Sequence, residues 1–209
     1  MVRRGKRKRR KLRVDILTPA EVSALIAECS DKSPSGIRNR ALLATLYQQA
    51  LRLSEALALR PADLNFDSLE LVVQRGKGSI HRTIELDEGI VPTLRRWIDC
   101  RREYIDDDSA PLFCTISKGK VRTPGAPLKQ AYVSRTIANL RDAAKIAKRC
   151  NPHSFRHTWA TESARAGVSP YVIQEFLGHA DVSETLTYVA EFSAAGQRDE
   201  LKKRPRWAP

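Results

Sequence analysis

The feature of this chain that most constrains its fold is a set of helix start and stop signals close to its two ends. Residues 18–21 (TPAE) combine a capping threonine, a proline suited to the first helical position and the acid of a capping box. Gly167 and Gly178 each mark a helix end, and residues 169–170 (SP) start the helix between them. Residues 181–184 (DVSE) form a second capping box. These signals predict a mainly helical chain whose last helices are joined by tight turns.

Apolar patterns between these signals predict the other elements. Helical periodicity covers residues 18–29, 37–60 with a break near 50–54, 89–104, 130–148 and 154–166. Two β-rich runs, residues 69–73 and 81–86, flank a glycine-rich segment and predict a hairpin with Lys77 at or near its tip. Residues 112–116 indicate a third short strand. The predicted fold class is therefore mainly α with a small antiparallel β-sheet (α+β).

Length and charge fit a single folded domain with one strongly basic end. The 209 residues are 42% hydrophobic, contain no apolar run near 18 residues and lack the apolar region of a secretory signal, so no membrane partner is predicted. Nine of the 13 net positive charges lie in residues 1–13, which contain no acid. This predicts a disordered polybasic arm over residues 1–14 that binds nucleic-acid phosphates. A solubilising tail and a nuclear-localisation signal are the alternatives.

The cysteines and histidines form no pattern typical of a disulfide framework or a metal site. The four cysteines are far apart in the sequence and form no CxxC pair, which is typical of free thiols in a reducing cytoplasm. Cys150, His153 and His157 have the spacing C-x2-H-x3-H, but a structural zinc site needs four ligands and no fourth is near. We therefore predict neither a metal nor any other cofactor.

Six polar side chains stand at predicted helix ends, within an apolar helix or beside glycines, where they can converge on one point. They are Arg52, Lys77, His153, Arg156, His179 and Tyr188. Cations grouped around one phenol can stabilise a phosphorane and activate the hydroxyl that attacks phosphorus, without a metal. The cluster therefore indicates phosphoryl transfer through a covalent bond to tyrosine.

Each of these residues also has an ordinary structural interpretation. Arg52 can pair with Glu55, Lys77 can be a solvated charge, and Arg156 can pair with a nearby carboxylate. His153 can cap its helix, and His179 can be a helix C-terminal cap. Tyr188 can pack its ring and leave its hydroxyl hydrated. Phe155 and Trp159, four residues apart, predict a buried stripe that anchors the helix and presents His153 and Arg156 to a cleft.

Taken in order along the chain, these motifs resemble the catalytic domain of the tyrosine recombinases, the phage integrase family. The most specific segments are residues 153–161 (HSFRHTWAT) and 177–188 (LGHADVSETLTY), supported by residues 50–59 (ALRLSEALAL). The resemblance covers about residues 17–192. It implies the catalytic-domain fold of that family, which we assign to residues 15–192.

The resemblance implies a site-specific DNA recombinase that forms a 3′-phosphotyrosyl intermediate, with integration, excision, inversion or resolution as the outcome. In this resemblance, Tyr188 is the nucleophile, and Arg52 and Arg156 clamp the non-bridging oxygens of the phosphate. Lys77 donates a proton to the departing 5′-oxygen, and His153 accepts the proton of the tyrosine. His179 makes a hydrogen bond to the phosphate. No magnesium is needed in such a site, because fixed cations take its place.

The resemblance also implies double-stranded DNA as the partner and a homotetramer on paired DNA sites, acting in the cytoplasm at the nucleoid. The basic tail, residues 193–209, is either exchanged between protomers or a frayed terminus that adds phosphate contacts.

The chain departs from the family pattern at two places. Ala50 stands where the family commonly has glycine, and we expect little effect on the chemistry. Only the basic arm precedes Thr18, where the family usually has a core-binding domain. Three explanations are open. The domain is naturally missing, as in the fimbrial inversion recombinases; it has been lost by truncation; or an accessory DNA-binding protein supplies it.

Two other functions share parts of this pattern. A type IB topoisomerase uses the same phosphotyrosine chemistry, but the HxxR motif and the spacing from LGH to Tyr188 favour the recombinase. A DNA-binding regulator with the same fold and no turnover is the second alternative. Against it, all six chemical positions hold competent residues.

Overall fold

The computed structural model describes residues 15–75, 80–116 and 123–178, which contain seven α-helices and one three-stranded antiparallel sheet. The helices are α1 (Pro19–Ala27), α2 (Pro34–Gln48), α3 (Leu53–Ala58), α4 (Val91–Arg102), α5 (Gln130–Ala143), α6 (Pro152–Arg165) and α7 (Pro170–Leu177). The strands are β1 (Leu64–Asn65), β2 (Glu70–Arg75) and β3 (Ile80–Glu85). The predicted fold class is therefore confirmed. Within these residues, no helix combines the length and the apolar character needed to cross a bilayer.

Local signals in the sequence set the ends of several helices. The hydroxyl of Thr18 accepts the N–H of Glu21 at 3.2 Å, and the Glu21 carboxylate accepts the N–H of Thr18 at 2.7 Å. Gly167 and Gly178 follow α6 and α7 with φ of +81° and +64°, a conformation that glycine adopts without a clash. The first capping box and both glycine stops are confirmed, whereas the second capping box, residues 181–184, lies outside the described residues.

The helix predicted over residues 130–148 is shorter in the structure. α5 ends at Ala143, and Lys145 has a left-handed backbone with φ of +54°, through which a helix cannot continue. The chain then turns towards α1, where the ammonium of Lys148 donates to the Glu21 carboxylate at 2.7 Å. This long-range ion pair is one that helical periodicity does not predict.

The sheet is a β-hairpin with one short strand along its edge. β2 and β3 pair in register, with Leu71 opposite Ile84 and Val73 opposite Arg82, so the predicted hairpin is confirmed. Leu71, Val73 and Ile84 are buried, which makes this face of the hairpin the one that contacts the core. Arg82 lies on the same face as Ile84, because side chains two residues apart share a face. β1 pairs with the start of β2.

The third strand predicted over residues 112–116 is wrong. That segment makes a single isolated bridge, between Cys114 and Pro127, and it does not pair with any of the three strands described above. Leu112 donates its N–H to the carbonyl of Leu59 at 2.6 Å and accepts the indole N–H of Trp97 at 2.9 Å. Its apolar sequence reflects burial in the core between α3 and α4 rather than strand pairing, and β1 takes the third place in the sheet.

One core holds most elements together, and a smaller cluster attaches α7. In the main core, α2 packs against α1, α3, α4 and α6. The smaller cluster is built on Ala50, Ala160, Ile173 and Leu177. Phe155 is fully buried in the main core, whereas the partly buried Trp159 joins the smaller cluster and stacks on Phe176, with ring centroids 4.5 Å apart. The predicted aromatic stripe therefore anchors α6 to two clusters.

Candidate active site

Arg156 is the most deeply buried of the three predicted site residues that the structure describes. Its side chain is 1% exposed, and its two terminal nitrogens donate to the carbonyls of Ala50 at 2.8 Å and of Leu177 at 2.7 Å. These carbonyls belong to the connection between α2 and α3 and to the last residue of α7. Arg156 therefore fixes two chain segments against α6: one leads to Arg52, and the other leads in sequence to His179.

Ala50 has a backbone conformation in which glycine is the usual residue. Its φ of +46° lies in the left-handed region, where a β-carbon costs about 1–2 kcal/mol. Its side chain is fully buried in the cluster with Ile173 and Leu177, which offsets part of that strain. The turn directs the carbonyl of Ala50 to Arg156, so the left-handed conformation is part of the site's framework.

Arg52 lies at the start of α3 and lines an open cleft of about 370 Å³ together with Asn151 and His153. Its guanidinium donates to Oε1 of Glu55 at 3.0 Å, and its main-chain N–H donates to Oε2 at 2.9 Å. The ion pair with Glu55 is therefore confirmed. The Arg52 side chain is still 38% exposed, so pairing does not remove it from the cleft.

Glu55 binds two arginines that come from different elements. Besides bonding to Arg52, its carboxylate accepts hydrogen bonds from both terminal nitrogens of Arg82 on β3, from Nη1 at 3.0 Å and from Nη2 at 3.1 Å. Burial alone would raise the pKa of this carboxyl, but the hydrogen bonds and charges of Arg82 and Arg52 outweigh burial and lower the pKa to about 2. Glu55 is therefore ionised at neutral pH and orients Arg52 at the edge of the cleft.

Replacing Glu55 by glutamine is expected to remove much of the acid sensitivity of folding. The folded pKa of about 2 lies below the ordinary value of 4.5, so the ionised carboxylate stabilises the fold above pH 4.5, and this is lost as the pH falls towards 2. The wild-type free energy of unfolding should therefore fall by roughly 2–3 kcal/mol more than that of Glu55→Gln over this range. Urea unfolding at a series of pH values measures the difference. If the free energy of unfolding fell equally with pH in the two proteins, the ion pairs of Glu55 with Arg82 and Arg52 would be contradicted.

His153 lies in the first turn of α6, on the cleft. Asn151 caps the helix, because its side-chain oxygen accepts the N–H groups of His153 at 2.9 Å and of Ser154 at 3.1 Å. The interpretation of His153 as the cap is therefore wrong, and α6 begins at Pro152 rather than at Ser154. The exposed ring of His153 meets that of His157 edge-on, with centroids 4.4 Å apart.

The structure thus describes three of the six predicted residues. Arg52 and His153 line one cleft, and Arg156 is buried on the same helix as His153. The other three lie outside the described residues: Lys77, His179 and Tyr188. In the described ranges, no three His, Cys, Asp or Glu side chains are grouped to hold a metal ion.

Arg82 belongs to this network, although the motifs of the sequence do not single it out. Its signal lies in the alternation of β3, where it shares the core-facing side with Ile84 and precedes the buried Leu86. An arginine at such a position requires a buried partner, and Glu55 is that partner.

Comparison with known proteins gives a consistent family assignment. Residues 15–194 match the model described as the phage integrase family. A tyrosine recombinase of Thermosipho africanus (strain TCF52B) is 33% identical over 178 residues, covering 84% of this chain and 56% of that protein. The chain spans between about half and two thirds of the length of the first curated relatives it matches.

Solved structures share the fold. The XerA recombinase has a TM-score of 0.74 at 28% identity, over 92% of this chain and 66% of its own. A post-cleavage complex of the XerH site-specific recombinase bound to palindromic difH substrate has a TM-score of 0.71 at 23% identity, over 90% of this chain and 52% of its own, and shows the fold alone. With the family match over most of its length, the chain belongs to the phage integrase family, the tyrosine recombinases.

Proposed function

We propose that this chain is the catalytic domain of a site-specific DNA recombinase that cleaves and rejoins strands through a 3′-phosphotyrosyl intermediate on Tyr188. The position of Arg156 carries the proposal. Its guanidinium binds the carbonyl two residues before Arg52 and the carbonyl two residues before His179. One buried cation thereby joins the segments of the other proposed phosphate ligands, and the cleft shared by Arg52 and His153 supports the same site.

In the proposed cleavage step, the hydroxyl oxygen of Tyr188 attacks the scissile phosphorus, and the bond from phosphorus to the 5′-oxygen breaks. His153 accepts the proton of the tyrosine, and Lys77 gives a proton to the departing 5′-oxygen. A phenol has an ordinary pKa of about 10, so its attack at neutral pH requires a base and nearby cations. The 5′-hydroxyl of another strand reverses the step and reseals the DNA without ATP.

Arg52 and Arg156 bind the non-bridging oxygens in this mechanism, and His179 adds a hydrogen bond to the phosphate. A guanidinium suits this role, since its planar fork matches the geometry of two phosphate oxygens. Glu55 orients Arg52, and two carbonyls hold Arg156. Because these bonds exist before DNA binds, the charge that develops in the transition state meets donors already in place.

The proposed partner is double-stranded DNA, on which two paired sites assemble a homotetramer. The related XerH structure is bound to its difH substrate, which supports a DNA partner for this fold. We assign residues 15–192 to the catalytic domain and residues 193–209 to a tail exchanged between protomers. Residues 1–14 form a DNA-binding arm, and an accessory DNA-binding protein is the alternative source of further clamp contacts.

A pool of nicked duplexes of randomised sequence tests this function without a known target. Cleavage beside the nick releases a short 5′-hydroxyl fragment that diffuses away, so the covalent adduct accumulates. Adducts that survive denaturation are recovered and sequenced, and two copies of the enriched sequence are placed on one plasmid. We expect enrichment of a single sequence family and recombination between its two copies.

Two other outcomes would contradict the proposal. Efficient relaxation of a supercoiled plasmid that lacks the enriched sequence would indicate a type IB topoisomerase. Binding of the pool with no covalent adduct would indicate a DNA-binding regulator that does not turn over.

Removal of residues 1–14 is expected to weaken DNA binding and to reduce its dependence on salt. The arm holds nine basic side chains among its first 13 residues. If about four of them contact phosphates, the slope of log K against log salt becomes shallower by about 3.6, and affinity at physiological salt falls about 10- to 100-fold. Fluorescence anisotropy at several salt concentrations measures both. An arm of scrambled order should bind as the wild type does, and an unchanged slope after removal would contradict the assignment.

A further inference from the structure

Arg82 connects more of the candidate site than its place on β3 suggests. Its side chain is only 14% exposed and makes a bidentate ion pair with Glu55, which also holds Arg52. It lies five residues after Lys77 in sequence, on the strand that leads out of the hairpin. The start of α3 and the hairpin are therefore joined through one largely buried guanidinium.

The same guanidinium lies directly against the end of α7. A β-carbon placed on Gly178 would be 2.8 Å from Nη1 of Arg82, closer than real β-carbons approach other atoms, and 3.0 Å from its Cζ. Gly178 thus provides the space that Arg82 occupies, in addition to the left-handed turn at φ of +64°. Arg156 binds the neighbouring Leu177 carbonyl, so two arginines lie against the residues that precede His179 and one of them is bonded there.

We propose that Arg82 is a positioning residue for strand cleavage, which fixes Glu55 and Arg52 against the end of α7. This inference rests on the proposed recombinase function. Arg82 lies on the hairpin and contacts two other segments, the start of α3 and the end of α7. Each of these three segments carries or leads to one of the six predicted residues. It acts through these segments, since both of its terminal nitrogens bind Glu55 and its Nη1 lies against Gly178.

The chemistry of Glu55 gives this role a specific signature. Among the described residues, the charged groups that lower the pKa of the buried Glu55 carboxyl are Arg82, on β3, and Arg52, at the start of α3. Loss of Arg82 removes the first-named of the interactions that oppose burial, so the pKa of the carboxyl rises and it takes up a proton more readily as the pH falls. A protonated Glu55 no longer holds Arg52 by an ion pair, and cleavage then slows at acid pH.

Single-turnover cleavage of a nicked duplex of the enriched sequence tests the inference. We expect Arg82→Met to lower the cleavage rate about 10- to 100-fold at saturating DNA, as a small misplacement of catalytic groups does. The Kd for DNA should change less than about two-fold, because binding uses other contacts. The rate of the variant should fall more steeply than that of the wild type as the pH is lowered, and Arg82→Lys should recover part of it.

Two further variants separate positioning from a general loss of charge or stability. Arg102→Met removes an arginine that is 67% exposed on α4, and it should leave cleavage unchanged. In the Glu55→Gln protein, Arg82→Met should cost much less than in wild type, because both changes break the same contact. If Arg82→Met does not fold, the same test is made on Arg82→Lys by comparing the pH dependence of its cleavage rate with that of the wild type.

A wild-type rate for Arg82→Met, or equal losses in rate and DNA affinity, would overturn the inference while leaving the recombinase function intact. If wild-type protein formed no tyrosyl adduct, the proposed function itself would be wrong. In that case, amide hydrogen exchange still tests whether Arg82 holds the start of α3 and the end of α7 in place. Faster exchange in residues 50–55 and 173–178 of Arg82→Met supports the role of Arg82, and unchanged exchange overturns it.

Discussion

Tyr188→Phe is expected to abolish covalent cleavage of DNA while leaving DNA binding within about two-fold of wild type. The change removes one oxygen, which is the attacking atom of the proposed mechanism, and leaves the aromatic ring. Loss of a nucleophile that acts together with its partners lowers turnover by about 10³-fold or more. Denaturing gels of single-turnover reactions measure the adduct, and anisotropy measures binding.

Tyr171→Phe is the matched control, because Tyr171 lies on α7 with its side chain 72% exposed and has no proposed role in the reaction. It should form the adduct at the wild-type rate. Wild-type cleavage by Tyr188→Phe would show that another group attacks phosphorus, and the proposed nucleophile would be wrong.

Arg156→Lys is expected to have the second largest effect, on both cleavage and stability. An ammonium carries the same charge but does not span the carbonyls of Ala50 and Leu177, which the guanidinium binds at 2.8 Å and 2.7 Å. Cleavage should fall about 10²- to 10³-fold, as when one preorganised donor to a transition-state oxygen is lost. A buried carbonyl left unbonded should lower the free energy of unfolding by about 1–3 kcal/mol.

Single-turnover cleavage and urea unfolding of the same preparation separate these two effects. Arg165→Lys is the control, since Arg165 is exposed in the last turn of the same helix. It should match the wild type in both measurements. If Arg156→Lys cleaved DNA at the wild-type rate, the guanidinium geometry would not be part of the phosphate clamp.

The parts of the fold that the sequence predicts well are those that a few neighbouring residues determine. The capping box of Thr18 and Glu21 and the left-handed glycines at 167 and 178 act within one helical turn, and each lies where it is predicted. The hairpin is also local, because two β-rich runs with glycines between them pair directly.

The elements that the sequence predicts poorly depend on distant partners. Residues 112–116 resemble a strand because they are apolar, but Leu112 bonds to Leu59 and Trp97 rather than to the sheet. α5 ends early because Lys145 turns the chain, and Lys148 then reaches Glu21. Periodicity reports which residues are buried and does not report what they are buried against.

The candidate site divides in the same way. Motifs identify Arg52, His153 and Arg156, and the structure adds how Glu55 and the two carbonyls orient the arginines. Arg82 is missed because its partners are far apart in sequence: Glu55 lies 27 residues before it, and Gly178 follows much later. Only the folded chain brings those segments to one guanidinium.

The most direct test of the account is to identify the residue that carries the DNA. The adduct trapped on the nicked duplex is digested with nuclease and protease, and the modified peptide is sequenced by mass spectrometry. We predict a nucleotide joined through its 3′-phosphate to Tyr188. A nucleotide on any other residue, or a linkage through a 5′-phosphate, would contradict the proposed chemistry.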